Sequence, residues 1–123
     1  MKIVFMGTPE FAVPTLKALH HSSHSIMAVI TQADKPKGRG QKLIFSPIKQ
    51  YALDSKLPIL QPKTVNEPEF IESLKKNRPD IVIVVAFGQI LSENFLKIPI
   101  QFCVNLHSSL LPKYRGAAPI HRA

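Results

Sequence analysis

Ile81-Val82-Ile83-Val84-Val85-Ala86 is the stretch that constrains this chain most, with Asp80 before it and Phe87-Gly88 ending it. Successive side chains of a strand point to opposite faces, so a run apolar at every position needs cover on both sides. Such a run belongs in the middle of a sheet flanked by helices. The same pattern recurs along the chain. Ile3-Val4-Phe5-Met6 runs into Gly7, Ile26-Met27-Ala28-Val29-Ile30 makes a second run, Pro58-Ile59-Leu60 a short third, and residues from Phe102 to His107 a fifth.

Helical spacing fills the intervals. Thr8 and Pro9 read as cap and first-turn proline of a helix with Phe11, Leu16 and Leu19 on one face, which Pro14 should kink or delay. Ser46-Pro47 opens a second helix carrying Ile48, Tyr51 and Ala52. Asn66 reads as the cap of a third, with Glu67, Glu69 and Glu72 early, Lys75, Lys76 and Arg78 late, and Phe70, Ile71 and Leu74 inward. That charge order suits the helix dipole. Residues 89–97 predict a short helix with Ile90, Leu91 and Phe95 inward. The alternation predicts an α/β fold, a doubly wound and mostly parallel sheet of order 3-2-1-4-5. Its switch point falls between the first and fourth strands, where Gly7, Phe87 and Gly88 end and where ligands bind in such sheets.

Size and charge narrow the function. A chain of 123 residues has room for one domain, and 45% hydrophobic with 20% charged residues describes a folded chain. No apolar run approaches the ~20 residues that cross a bilayer, and the first residues make no secretory signal, so a cytoplasmic protein is expected. Cys103, the lone cysteine, excludes a disulfide within one chain. Sixteen Lys+Arg oppose eight Asp+Glu, for a formal charge of +8. The excess is concentrated: from Lys35 to Lys63 lie Lys35, Lys37, Arg39, Lys42, Lys49, Lys56 and Lys63 against Asp54 alone. Such a stretch attracts polyanions, or else is a solvated basic loop with no partner. His20, His21 and His24 have no cysteine or carboxylate at ligand spacing, so no metal is expected. The turn after Gly7 lacks the three-glycine dinucleotide fingerprint, and Pro9 stands where that loop needs glycine freedom.

Chemistry gathers in Cys103-Val104-Asn105-Leu106-His107-Ser108. Strand parity sends Asn105 and His107 to the same side, about 7 Å apart. Val104 and Leu106 face the other way. An amide at the carboxyl end of a parallel strand can donate to a developing oxyanion, and an imidazole can donate or move a proton. The alternative is a strand end whose Asn and His only satisfy loop backbone. Cys103 shares their face deeper in the strand and reads as a buried structural thiol.

Asn105-Leu106-His107 followed by Ser109-Leu110-Leu111-Pro112-Lys113-Tyr114-Arg115-Gly116 resembles the signature of the formyltetrahydrofolate-dependent formyltransferases. The resemblance implies a Rossmann-like formyltransferase fold, with Asn105 and His107 as the catalytic pair. It places Ser109, Leu110, Leu111 and Pro112 in the folate-binding loop, beside Phe87 and Gly88 at the switch point. Ser108 departs from the Gly or Ala often found there, and Ser is small enough to fit. Gly7-Thr8-Pro9-Glu10-Phe11-Ala12, Thr31 to Pro36, Gly38 to Lys42, Ser46 to Lys49 and Gly116 to Ile120 are similar to the branch of that family acting on methionyl initiator tRNA. In that branch the basic loop reaches the tRNA acceptor arm, which implies tRNA contacts by Lys35, Lys37, Arg39 and Lys42. The implied co-substrate is 10-formyltetrahydrofolate, with no metal. Roles for Lys113, Tyr114, Arg115 and His121, in substrate contact or solubility, stay open.

The resemblance covers the whole chain but not the whole family domain. Its carboxylate that would keep His107 protonated follows some tens of residues after the His. Residues 1–123 are therefore expected to be the amino-terminal part of a catalytic domain, nearly inactive alone. Remaining strands and a carboxyl-terminal tRNA-binding domain would be absent. The fifth strand should then expose an unpaired outer edge, leaving residues 113–123 poorly ordered or inviting self-association. Two rivals remain: another folate-dependent formyltransferase, acting on a nucleotide sugar, a purine precursor or the folate itself, and a non-catalytic folate- or RNA-binding module.

Overall fold

A computed structural model describes residues 1–37, 42–106 and 120–122, with side chains described for residues 1–34 and 44–106. Six strands form the main sheet: β1 (Lys2–Gly7), β2 (Ser25–Ile30), β5 (Ile59–Leu60), β6 (Ile81–Val85), β7 (Phe102–Leu106) and β8 (Ile120–Arg122). Their order is β5-β2-β1-β6-β7-β8. The first five are parallel, which is the expected 3-2-1-4-5 arrangement counted in the order of those five. Val4 pairs with Val82, and Gly7 with Val85, so the two apolar runs lie side by side at the centre.

Helices cover both faces, as the unbroken run at β6 demands. α1 (Val13–His20) and α2 (Pro47–Asp54) lie on one side, where Phe5, Ala12, Leu16, Val29, Ile48, Ala52 and Val85 form a core. α3 (Pro68–Lys76) and α4 (Glu93–Leu96) lie on the other, over Val4, Met6, Val82, Val84, Phe95 and Cys103. Strand parity splits β1 and β6 between these cores: Val4 and Met6 go one way, Phe5 the other.

The helix starts were only partly legible. Ser46 caps α2 as its sequence suggests, accepting from the Lys49 amide at 3.0 Å with Pro47 in the first turn. Thr8 does not cap α1. A short 3-10 turn, Glu10–Ala12, comes first, and α1 begins at Val13 with Pro14 in its opening turn, where a proline lacks only an amide that would be unpaired anyway. Asn66 does not cap α3 either, since Glu67 holds that position without a side-chain bond. The helix expected over 89–97 is a single turn, Glu93–Leu96, and Ile90 is 89% exposed rather than inward.

Three strands were not foreseen. The basic segment is a hairpin, β3 (Lys35–Lys37) paired antiparallel with β4 (Lys42–Ile44), with Lys37 opposite Lys42. β8 pairs antiparallel with β7, Asn105 opposite His121. The outer edge of β7, expected to be open and to invite self-association, is thus paired over Val104, Asn105 and Leu106, and backbone pairing of that kind removes the exposed amides that made the edge a liability. Within the span expected to be poorly ordered, residues 113–119 and 123 lie outside the described residues.

Candidate active site

The carboxyl ends of β6 and β7 open into a cleft of about 430 Å³, on the α3/α4 face and beside the switch point between β1 and β6. Val84, Phe87, Leu91, Leu96 and Cys103 supply apolar wall, and Gln89 and Asn105 supply polar groups. That mixture, mostly apolar with a few polar groups, is what a flat organic ligand needs for burial and orientation. The size falls in the range of small-molecule sites, about 300–1,000 Å³.

Asn105 is half-buried and lines this cleft, where strand parity put it. Its β6 neighbour is Val84, and Cys103 lies two residues deeper on the same face. Among the described residues the Asn105 side-chain amide has no hydrogen-bond partner. The fully buried Cys103 thiol is pushed up to about 11 from its usual 9.0 by burial, which disfavours the thiolate. It is wall and not nucleophile. His107, Ser109, Leu110, Leu111 and Pro112 lie outside the described residues, as do Lys113, Tyr114, Arg115 and Arg39. Lys35, Lys37 and Lys42 are placed by backbone on β3 and β4 only.

Phe87 and Gly88 divide their work. The Phe87 ring is 3% exposed and packs into the core beneath the cleft, while Gly88 is exposed at its rim. Gly88 has φ +103, and a Cβ there would lie 2.4 Å from Gln32 Nε2. The conformation calls for glycine, and a side chain there would also push the flexible end of Gln32 aside. Ala86, also on the cleft, has φ 54, which a residue with a Cβ adopts only under constraint from its surroundings.

Polar side chains just past the strand ends tie the surrounding loops together. Thr8 Oγ1 donates to Phe87 O at 3.2 Å and accepts from the Gln32 amide at 3.4 Å. Gln89 Nε2 donates to Gln32 Oε1 at 3.2 Å, and Gln89 Oε1 accepts from the Val65 amide at 3.0 Å. Gln61 Nε2 donates to Gln32 O at 3.0 Å and to Asp34 Oδ1 at 2.8 Å. Asn66 donates to Ile90 O and accepts from the Ser92 amide, each at 2.8 Å. Asp34 pairs with Lys49 at 2.6 Å, and the bonds from Lys49 and Gln61 hold its carboxyl below the ordinary carboxylate value. A depressed carboxylate pKa stabilises the fold above the unfolded-state value and loses that contribution as pH falls through the lower folded one. The pair is therefore intact at neutral pH.

None of these residues was singled out for the site from sequence except Thr8 and Asn66, and those in capping roles. A usable signal was present: Gln32, Gln61 and Gln89 each stand one or two residues past the end of a strand or its terminal Phe87-Gly88. The histidines have separate partners. His20 meets Tyr51 Oη at 3.0 Å, His21 Nδ1 the Lys17 carbonyl at 3.0 Å, and His24 Nδ1 the amino terminus at 3.1 Å.

The fold is a doubly wound α/β sheet with a cleft at its switch point, walled by apolar groups together with Gln89 and Asn105. The chain belongs to the formyl transferase family, whose model matches residues 1–123. It is 56% identical over 123 residues to the methionyl-tRNA formyltransferase of Moorella thermoacetica and 58% identical over 124 residues to that of Clostridium novyi. Both matches cover 100% of this chain and 40% of the relative, so the chain spans about 40% of the length of these curated relatives. Among solved structures it resembles a phosphoribosylglycinamide formyltransferase from Bacillus halodurans, with TM-score 0.60 and 17% identity over 94% of this chain and 60% of that one. The corresponding enzyme from Campylobacter jejuni gives TM-score 0.57 and 24% identity over 95% and 63%. These two likenesses concern the fold.

Proposed function

We propose that this chain is the amino-terminal part of a catalytic domain that transfers a formyl group from 10-formyltetrahydrofolate to the amino group of methionyl initiator tRNA. The observation that carries the reading is Asn105, whose amide has no partner among the described residues and stands in the wall of a cleft of a size and lining suited to a flat heterocycle. Identity of 56–58% to methionyl-tRNA formyltransferases, across the whole chain, supports the choice of acceptor. Their greater length supports the placement as one part of a larger protein, in which the remaining strands and a tRNA-binding domain would follow. An acceptor of this kind is met in the cytoplasm.

The chemistry follows from charge. Attack by the neutral amine on the formyl carbon drives electrons onto the carbonyl oxygen. The Asn105 amide donates to that oxygen as it turns negative, a contribution typically worth about a hundred- to thousand-fold in rate. His107, two residues on, is assigned to stabilise the same charge or to pass a proton to the departing folate nitrogen. An imidazole with a pKa of about 6.5 is mostly neutral at neutral pH, so a carboxylate elsewhere in the domain would be needed to favour its protonated form. Phe87, Gly88, Ser109, Leu110, Leu111 and Pro112 are assigned to the folate. Lys35, Lys37, Arg39 and Lys42 are assigned to tRNA phosphates, where salt would weaken them.

Incubating the full-length protein with 10-formyltetrahydrofolate and methionyl initiator tRNA should yield formylmethionyl-tRNA. Formylation of phosphoribosylglycinamide in place of the tRNA would reassign the acceptor. Folate binding without transfer to any amine would leave a binding module.

A further inference from the structure

Among the described residues the strands of the β3–β4 hairpin pair with each other and with no other strand. A two-stranded hairpin is marginal in water without support, so its position must be set where it joins the body. Those junctions are Asp34, immediately before β3, and Phe45, immediately after β4. One side chain holds both. Lys49 Nζ lies 2.6 Å from Asp34 Oδ2 and 4.0 Å from the centre of the Phe45 ring, a salt bridge and a cation–π contact made by the same ammonium.

The anchor behind Lys49 is firm. It sits in the first turn of α2, where its amide donates to the Ser46 cap and the neighbouring Ile48 and Ala52 are fully buried. The Ile48 amide reaches Thr8 O, tying α2 to the end of β1. On its other side Asp34 accepts from Gln61, which also donates to Gln32 O, and Gln32 meets Gln89 in the cleft loop. The side chains of Lys49 and Asp34 are 14% and 17% exposed, so solvent screens this pair less than a fully exposed surface pair.

We infer that Lys49 is a positioning residue: it clamps both roots of the basic hairpin and fixes where that hairpin stands relative to the cleft. The link to the acceptor rests on the reading that the hairpin meets tRNA; the clamp itself does not. Lys49 thus serves acceptor binding without being one of the lysines assigned to tRNA phosphates. Among the described residues, Lys49 and Gln61 are the groups bonded to the Asp34 carboxylate.

The test uses the full-length protein with Lys49→Met and Lys49→Arg. In Lys49→Met, amide hydrogen exchange in residues 35–37 and 42–45 should speed up about tenfold while β1 and β6 stay protected. The KM for methionyl-tRNA should rise about fivefold, with kcat and the folate KM within about twofold of wild type. Lys49→Arg keeps the charge and the stacking surface and should recover most of both effects. Should Lys49→Met fail to fold, Asp34→Asn removes the ion pair while keeping an acceptor for Gln61, and the same changes are expected. Unaltered exchange in the hairpin would overturn the clamp whatever the acceptor is. A loosened hairpin with unchanged tRNA KM would overturn its role in acceptor binding. Were wild type to leave methionyl-tRNA unformylated, the proposed function would fall, and the exchange comparison would still judge the clamp.

Discussion

At the amino end of the sheet Asp80 accepts from the Lys2 amide at 2.7 Å, while its own amide donates to Lys2 O at 2.8 Å. Ile100 N reaches Pro79 O and Gln101 N reaches Asp80 O, both at 2.9 Å. The carboxyl end is joined differently, by Thr8, Gln32, Gln61 and Gln89, whose side chains span from loop to loop. Three of those four amino-end bonds are main chain to main chain and the fourth is to the short Asp80 carboxylate, so the segments lie close together. At the carboxyl end long side-chain amides bridge the loops as well, and a cleft lies beside them. One end of the sheet is closed and the other leaves a cleft.

Substitutions at the two ends should separate along that line. The largest effect is expected for Asn105→Ala in the full-length protein: about a hundred- to thousand-fold loss of formyl transfer, with folate binding mostly kept. A turnover number near wild type would take Asn105 out of the mechanism. Gly88→Ala comes next. Its φ of +103 resists a side chain, and the added carbon would displace Gln32 from Gln89. Stability should drop by about 1–3 kcal/mol and the Kd for a folate analogue should rise about tenfold, read by denaturant titration and calorimetry. An unchanged Kd would mean the rim does not touch the ligand. At the other end Asp80→Ala should cost about 1 kcal/mol in the same denaturant titration and leave turnover untouched. Loss of turnover there would dissolve the contrast between the ends. The smallest signal is expected at Cys103, which a burial-raised pKa of about 11 should keep protonated and unlabelled by iodoacetamide at pH 9 in the native protein. Rapid labelling would show a wall more open than this one.

The parts legible in the sequence were those with a period. The apolar run at 81–86 demanded a central parallel strand, and parity along 102–106 placed Asn105 on the cleft face with Cys103 beneath it. Ser46-Pro47 announced α2 because cap and proline act within one turn. What stayed hidden acts across the chain. Thr8 and Asn66 look like caps by local rules, yet their partners Phe87 and Ser92 are 79 and 26 residues away. Gln32, Gln61 and Gln89 carry no periodic mark, since a polar residue past a strand end reads as loop. The hairpin was obscured by Pro36 and by residues whose β propensity is low, and it forms by pairing with itself rather than by burial.

The Thr8 hydroxyl touches both the Phe87 carbonyl and the Gln32 amide, so three loops share a single rivet. Pushing on one of them strains the others, which makes the floor of the cleft stiff. A ring entering it must be accommodated from the opposite bank, by Leu91 and Leu96 on the lone turn of α4 and its approach. Ligands differing in thickness should thus be discriminated by how far that short turn yields, while the strand ends stay still.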